Sequence, residues 1–336
     1  MTAAGRIPET VERGDIDELI GLIDGLCLDA DWDGLTDLAR RCRAALERGR
    51  QLWPAAAHAD YRLALEAPAA WAGPAVAPGR GRFAPGPLTE VVASTHGWSE
   101  LAGELPDPAL AAVVAQERAL RGEDLTADRR VPAQLIEVPL ALQPWEPDYP
   151  LATYRPDGAE FPSPAGLDAE GSPAGAGAAR PTGVAGGGAD DGVRALRDLV
   201  AGWTEASSGR ADAVVVEGDA RAAAAALGMA AVTELAPDDA LARMAWCGAS
   251  GGAHGRRRGM ASGRFGAWWA LAAVSDRLDD WPVPPEQLGA ALDRLEFLAF
   301  EVPGPPTGWR LGLAIGAPGS GRAWAVSARD PADGAV

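Results

Sequence analysis

Through the first third of the chain, apolar residues return every three or four positions, a spacing that predicts helices. In GDIDELIGLIDGL, Ile16, Leu19, Ile20 and Ile23 form one stripe, with Asp15 placed to cap it and Glu18 three residues on. DGLTDLARRCRAAL repeats the pattern through Leu35, Leu38, Cys42 and Leu46. WPAAAHADYRLALEAP sets Pro54 at its first helical position and ends before Pro68, while DPALAAVVAQERALRGEDL opens with Asp107 as cap and Pro108 behind it. These segments predict an antiparallel helical array over residues 1–130, without the fixed period of a repeat solenoid.

From Val131 to residue 162 prolines interrupt every apolar run, so this stretch is expected to be extended. Residues 163–192 are a low-complexity stretch dominated by Pro, Gly and Ala, with too little apolar surface to offset ordering, and are expected to form a disordered linker. Residues 193–330 mix periods. VRALRDLVAGW, DARAAAAALG, APDDALARMAWC and most of RRRGMASGRFGAWWALAAVSDRL read as helices, and PPEQLGAALDRLEFLAF as one more. ADAVVVEG reads as a short strand, and GWRLGLAI and RAWAVSAR alternate as a hairpin around GAPGSG. The expected fold is α+β and predominantly α-helical: an N-terminal antiparallel helical array, then a smaller C-terminal mixed lobe ending in a β-hairpin.

Composition changes this picture mainly by exclusion. The 336 residues contain no lysine and no asparagine, all 30 cationic residues are arginine, and Trp (12) outnumbers Phe (5) and Tyr (3). This bias fits a very GC-rich bacterial genome, and it accounts for the tryptophans without a binding role. Lacking lysine, the chain cannot form a Schiff base with a cofactor or use a phosphate-loop lysine, and lacking asparagine it offers no N-glycosylation site. A net charge of −17 argues against nucleic-acid and anionic-membrane partners and suits solubility. Cys27, Cys42 and Cys247 form no paired motif, and His58 and His96 lack a second ligand at helical spacing. They predict reduced thiols, no metal and no cofactor. The first twenty residues lack the basic flank and apolar core of a secretory signal, and no apolar run is long enough to span a bilayer, so the expected compartment is the cytoplasm.

One stretch, CGASGGAHGRRRGMASGRFGAWW from Cys247 to Trp269, concentrates the candidate chemistry. Gly248-Ala249-Ser250-Gly251-Gly252 matches the G-x-S-x-G of a serine-nucleophile elbow. The segment before it has helical spacing, however, and the nearest histidine, His254, is four residues away, out of the expected order. The favoured reading is a Gly/Ser break between helices, with Ser250 and His254 as weak catalytic candidates. GAPGSGRA, Gly316 to Ala323, approaches a phosphate loop but has Arg322 and Ala323 where lysine and a hydroxyl belong, and reads as a hairpin turn. Arg256, Arg257, Arg258 and Arg264 remain as candidate anion ligands. If a helix begins near residue 252, Gly251, Gly255, Gly259, Gly263 and Ala267 make a ridge for a closely packed neighbour, and Arg257, Arg264 and Trp268 share another face.

The runs WCGASGGAHGRRRGMASGRFGAWWALAA and VVVEGDARAAAAALG resemble a family of actinobacterial proteins of unknown function, mainly over residues 200–330. The resemblance implies a bacterial cytoplasmic protein and brings no activity or catalytic residue. With no intact catalytic motif, the leading expectation is a non-enzymatic interaction protein whose helical array offers the binding surface to another protein. The alternative is a protein or enzyme that binds a small phosphate or carboxylate ligand between Ser250 and Arg264. A serine hydrolase ranks last.

Overall fold

In the computed structural model, which describes residues 3–164, 190–229, 231–302 and 308–332, the protein is α+β and predominantly helical. Met1–Ile136 with Ala152–Glu160 make one unit, and Glu137–Leu151 with Phe161–Val336 make the other. The expected linker, 163–192, lies outside the described residues over 165–189.

The first unit carries helices α1 (Ala3–Arg13), α2 (Ile16–Leu28), α3 (Trp32–Ala44), α4 (Trp53–Glu66), α5 (Ala69–Ala75), α6 (Leu88–Thr95), α7 (Trp98–Leu101) and α8 (Pro108–Leu120). Asp15 caps α2 by accepting from the backbone N–H groups of Asp17 and Glu18, and Asp107 caps α8 in the same way. The buried face of α2 is Leu19, Leu22, Ile23 and Leu26, one turn on from the expected stripe, which leaves Ile16 and Ile20 half-buried. Leu35, Leu38 and Cys42 of α3 are buried as expected, but Leu46 is 45% exposed. Its helix tightens into a 3-10 turn at Ala45–Arg48, and three residues per turn rotate Leu46 off the buried stripe.

Part of the Pro-rich segment folds back here as a small hairpin, β1 (Thr153–Arg155) with β2 (Gly158–Glu160). Tyr61 donates its hydroxyl to the carbonyls of Arg155 and Gly158 at 2.6 and 2.9 Å. Tyr154 donates to the buried Glu90 at 2.7 Å. Phenol side chains bring both apolar area and a donor, so they can anchor a strand this short.

The second unit carries α9 (Asp191–Leu199), α10 (Ala201–Glu205), β3 (Arg210–Glu217), α11 (Ala220–Ala226), β4 (Val232–Leu235), α12 (Pro237–Ser250), α13 (Met260–Val274), α14 (Pro285–Leu292), β5 (Glu296–Phe300), β6 (Trp309–Ala317) and β7 (Arg322–Asp330). Its sheet has the order β3-β7-β6-β5-β4 with every pair antiparallel. The terminal hairpin is present, and GAPGSGRA forms its turn. The run expected as one helix from Pro284 stops at Leu292, and Glu296–Phe300 becomes β5 between β4 and β6. Five apolar-rich residues fit either element, and pairing on both sides decides for a strand.

The period-2 alternation of the strands separates two faces. Val214, Ala314, Ala323 and Ala325 pack with Ala220, Ala223 and Ala224 of α11. On the opposite face Trp324 donates its indole N–H to Asp190 at 2.8 Å, and Asp190 also accepts from the Val193 amide to cap α9.

Candidate functional site

Helix α12 ends at Ser250 because Gly251 takes a left-handed conformation, φ 76°, and a Cβ there would collide with the Arg256 carbonyl. Residues 251–259 form a loop, and α13 begins only at Met260. The glycine ridge expected from residue 252 is therefore broken, since Gly251, Gly252 and Gly259 all have positive φ and cannot continue a right-handed helix. Gly263 alone keeps the expected part: a Cβ there would strike the Ala245 carbonyl, and one on Gly248 would stand 3.1 Å from the Gly263 Cα. The backbones of α12 and α13 cross at that point.

The loop is fixed by a residue that sequence reasoning missed. Asp330, fully buried at the end of β7, accepts from the Ala253 amide at 2.6 Å and from the Ser208 hydroxyl at 3.3 Å. Its position in ARDPADG carries no local signal of this role. His254 donates its amide to the Ser207 hydroxyl at 3.0 Å, and its Nε2 lies 3.0 Å from the Pro331 carbonyl. A carbonyl only accepts, so that nitrogen carries the proton.

Ser250 is occupied otherwise than a nucleophile. Its Oγ accepts from the Trp203 indole N–H at 2.8 Å and donates to the Cys247 carbonyl at 3.2 Å. It stands at a helix C-terminus, and its proton goes to a backbone oxygen, not to a base. His254 is committed to Pro331, so the two weak catalytic candidates share a loop but form no nucleophile–base pair.

The four candidate arginines separate. Arg264 is only 1% exposed and forms a two-pronged pair with Glu146, whose side chain is closed off from solvent, through Nε at 2.7 Å and Nη2 at 2.6 Å. It also donates to the carbonyls of Pro139 and Ala141 at 2.7 and 3.1 Å, and its guanidinium lies 5.5 Å from the Trp268 ring centre. Glu146 accepts further from Trp268 Nε1, the Tyr149 hydroxyl and the Gln143 amide. Burial pushes the Glu146 carboxyl upward, but the Arg264 hydrogen bonds and charge outweigh it, and the group sits below the ordinary value. The same burial, with the adjacent Glu146 charge, raises the Tyr149 phenol well above its usual range. Arg257 is buried with its guanidinium 4.9 Å from the Phe161 ring centre. Arg256 is exposed on the loop. Arg258 donates its amide to the Ala249 carbonyl at 2.7 Å, and its side chain borders a cleft.

That cleft, about 280 Å³, opens between α9 and α13 and is lined by Asp198, Leu199, Arg258, Ser262, Phe265 and Trp269 among others. Phe265, 40% exposed, stacks on Trp269 at 6.3 Å, and Trp281 meets both edge-on at 5.8 and 5.0 Å. The Trp281 indole donates to Glu137 at 3.1 Å, which holds its ring in place. A second cleft of about 510 Å³ lies along the other side of α9, lined by Arg194, Arg197, Asp198, Thr204, Glu205 and Arg210 among others. Asp198 lines both, and burial, opposed by Arg194 and reinforced by Glu205, raises its carboxyl above the ordinary value. Among the described residues no group of three or more His, Cys, Asp or Glu side chains is placed to hold a metal ion, and no helix is long and apolar enough to cross a membrane.

The model of a family of unknown function, DUF6183, matches residues 17–332, and the chain belongs to that family. No curated protein and no solved structure matches it.

Proposed function

We propose that this protein recognises another protein, and that the docking face is the cleft bordered by Phe265, Trp269 and Arg258, with Trp281 packed against the two aromatic rings. One observation carries the reading: three aromatic side chains in mutual contact stand partly exposed beside an arginine whose side chain makes no hydrogen bond or ion pair among the described residues. Trp, aromatic residues and Arg are the types that dominate protein-interface energetics. Their rings lose contact with water only when something covers them, at about 25 cal/mol per Å². The cleft's volume of about 280 Å³ stands at the lower edge of the roughly 300–1,000 Å³ of small-ligand pockets and can accept a side chain projecting from a larger partner.

The occupant that fits is a segment presenting an apolar anchor with a carboxylate beside it, the anchor against Phe265 and Trp269 and the carboxylate against Arg258. This places recognition on the second unit rather than on the N-terminal helices, where the sequence pattern had suggested it. We place the protein in the cytoplasm of a GC-rich bacterium of actinobacterial type. The anion-site alternative keeps only Arg258 at an open cleft, because Arg264 is bound to Glu146 and Arg257 is buried against Phe161. The hydrolase reading is not supported by Ser250, whose hydroxyl is hydrogen-bonded to the Trp203 indole and the Cys247 carbonyl and to no base among the described residues.

The reading is tested by affinity capture from the native host with the wild-type protein and with Trp269→Ala and Arg258→Glu variants of unchanged melting temperature. A partner retained by the wild type and lost by both variants is the expected result. A capture profile that is the same for all three contradicts it.

A further inference from the structure

The larger cleft beside α9 has a different character from the aromatic one. Arg194 and Arg197 enter it from α9, one helical turn apart, and Arg210 enters from the first residue of the edge strand β3. Their engagements are slight. Arg194 pairs with the exposed Asp191 on its own helix turn, Arg197 reaches the Ala213 carbonyl at 3.4 Å, and Arg210 has no hydrogen-bond or ion-pair partner among the described residues. Arg210 also stands directly opposite Arg329 on β7, which stands opposite Arg310 on β6. In a chain of net charge −17, three arginines from two elements line this cleft and outnumber its two carboxylates, Asp198 and Glu205.

We propose that this cleft binds a phosphomonoester dianion, held by Arg194, Arg197 and Arg210, with Thr204 as a neutral hydrogen-bonding group. The choice of anion follows from the lining. Asp198 and Glu205 also face the cleft, so an occupant must bring enough charge to prevail over two carboxylates. A carboxylate offers one charge and two oxygens, enough for one guanidinium fork. A phosphomonoester carries about −1.5 to −2 and three terminal oxygens, which two or three guanidiniums from different directions can share. A cleft of about 510 Å³ is also larger than a bare ion and leaves room for the group that carries the phosphate. The dianion comes either from a small phosphorylated metabolite or from a phosphorylated side chain.

The test is calorimetric titration of the full-length protein with glycerol phosphate and with a short phosphoserine peptide, beside the unphosphorylated peptide. Saturable single-site binding of at least one phosphorylated probe is expected, weakened at least about tenfold by Arg197→Ala and by Arg210→Ala, each the loss of a charge-assisted contact. Asp198→Asn tightens it, while Arg221→Ala, on α11 away from the cleft, and Trp269→Ala, in the aromatic cleft, leave it unchanged. The Trp269→Ala arm separates this site from the docking face. Arg210→Gln serves if Arg210→Ala alters the melting temperature. Tighter binding of the phosphopeptide assigns the phosphate to a protein side chain, and tighter binding of glycerol phosphate to a metabolite. Failure of both phosphorylated probes to saturate, or binding indifferent to the two arginine substitutions, overturns the proposal.

Discussion

Glu146 and Arg264, 118 positions apart in sequence, meet as a two-pronged ion pair with both side chains closed off from solvent. The carboxylate also accepts from Trp268, Tyr149 and the Gln143 amide, and Arg264 donates to two carbonyls of the Pro-rich segment. Removing one partner leaves a buried charge without compensation, which costs about 3–5 kcal/mol. Arg264→Met is expected to lose about that much in urea unfolding, whereas Arg264→Met with Glu146→Leu loses less than the two single changes summed. A loss below about 1 kcal/mol for Arg264→Met contradicts this account.

The same pair sets an acid limit. The folded-state pKa of Glu146 is depressed, by hydrogen bonds and charge from Arg264 that outweigh burial. Its contribution to stability is therefore complete above the unfolded value of about 4.3 and is lost as pH falls through the lower folded value. The denaturation midpoint should drop on acidification below that point, and part of the drop should vanish in Glu146→Gln. An identical pH slope in the two proteins counts against the assignment.

Two glycines should respond with opposite signs. At Gly263 an added methyl meets the Ala245 carbonyl where α12 and α13 cross, so Gly263→Ala should cost about 1–3 kcal/mol. At Gly21, inside α2, nothing lies within 4 Å, so Gly21→Ala should gain about 0.4–1 kcal/mol. Thermal unfolding of both variants checks the pair, and a stabilised Gly263→Ala would rule out the close crossing.

Burial raises all three thiols: Cys27 to about 12, Cys42 to about 11, and Cys247 further still. Alkylation at pH 8 is expected to run more than about a hundredfold slower in the native protein than in denaturant, because the thiolate is the reactive form. Comparable rates in the two states would contradict the burial of these side chains.

Much of the architecture was legible because it rests on local chemistry. Asp15 and Asp107 cap where spacing and residue type said they would, and the alternation of GWRLGLAI and RAWAVSAR is a hairpin. What escaped the sequence was non-local or ambiguous. The helical spacing puts Arg264 on one face with Trp268, but nothing in a proline-punctuated segment marks Glu146 as its partner. The every-fourth glycines looked helical from 252 onward, yet three of the loop glycines have positive φ, a backbone choice that spacing does not encode. EFLAF satisfied a helix pattern until pairing on both edges made it a strand. The aromatic cleft was hidden by its own residue type: composition explained the tryptophans, and only the fold brings Trp281 against Phe265 and Trp269.

The docking face is tested most directly by a photo-crosslinking amino acid placed at Ser262, which lines the aromatic cleft, with the same amino acid at Arg221 as a control. In host cells, irradiation should give one discrete crosslinked protein from position 262 and none from 221, and adding Trp269→Ala should abolish it. No crosslink at 262, or the same crosslinks from both positions, would contradict the claim that this cleft recognises a protein.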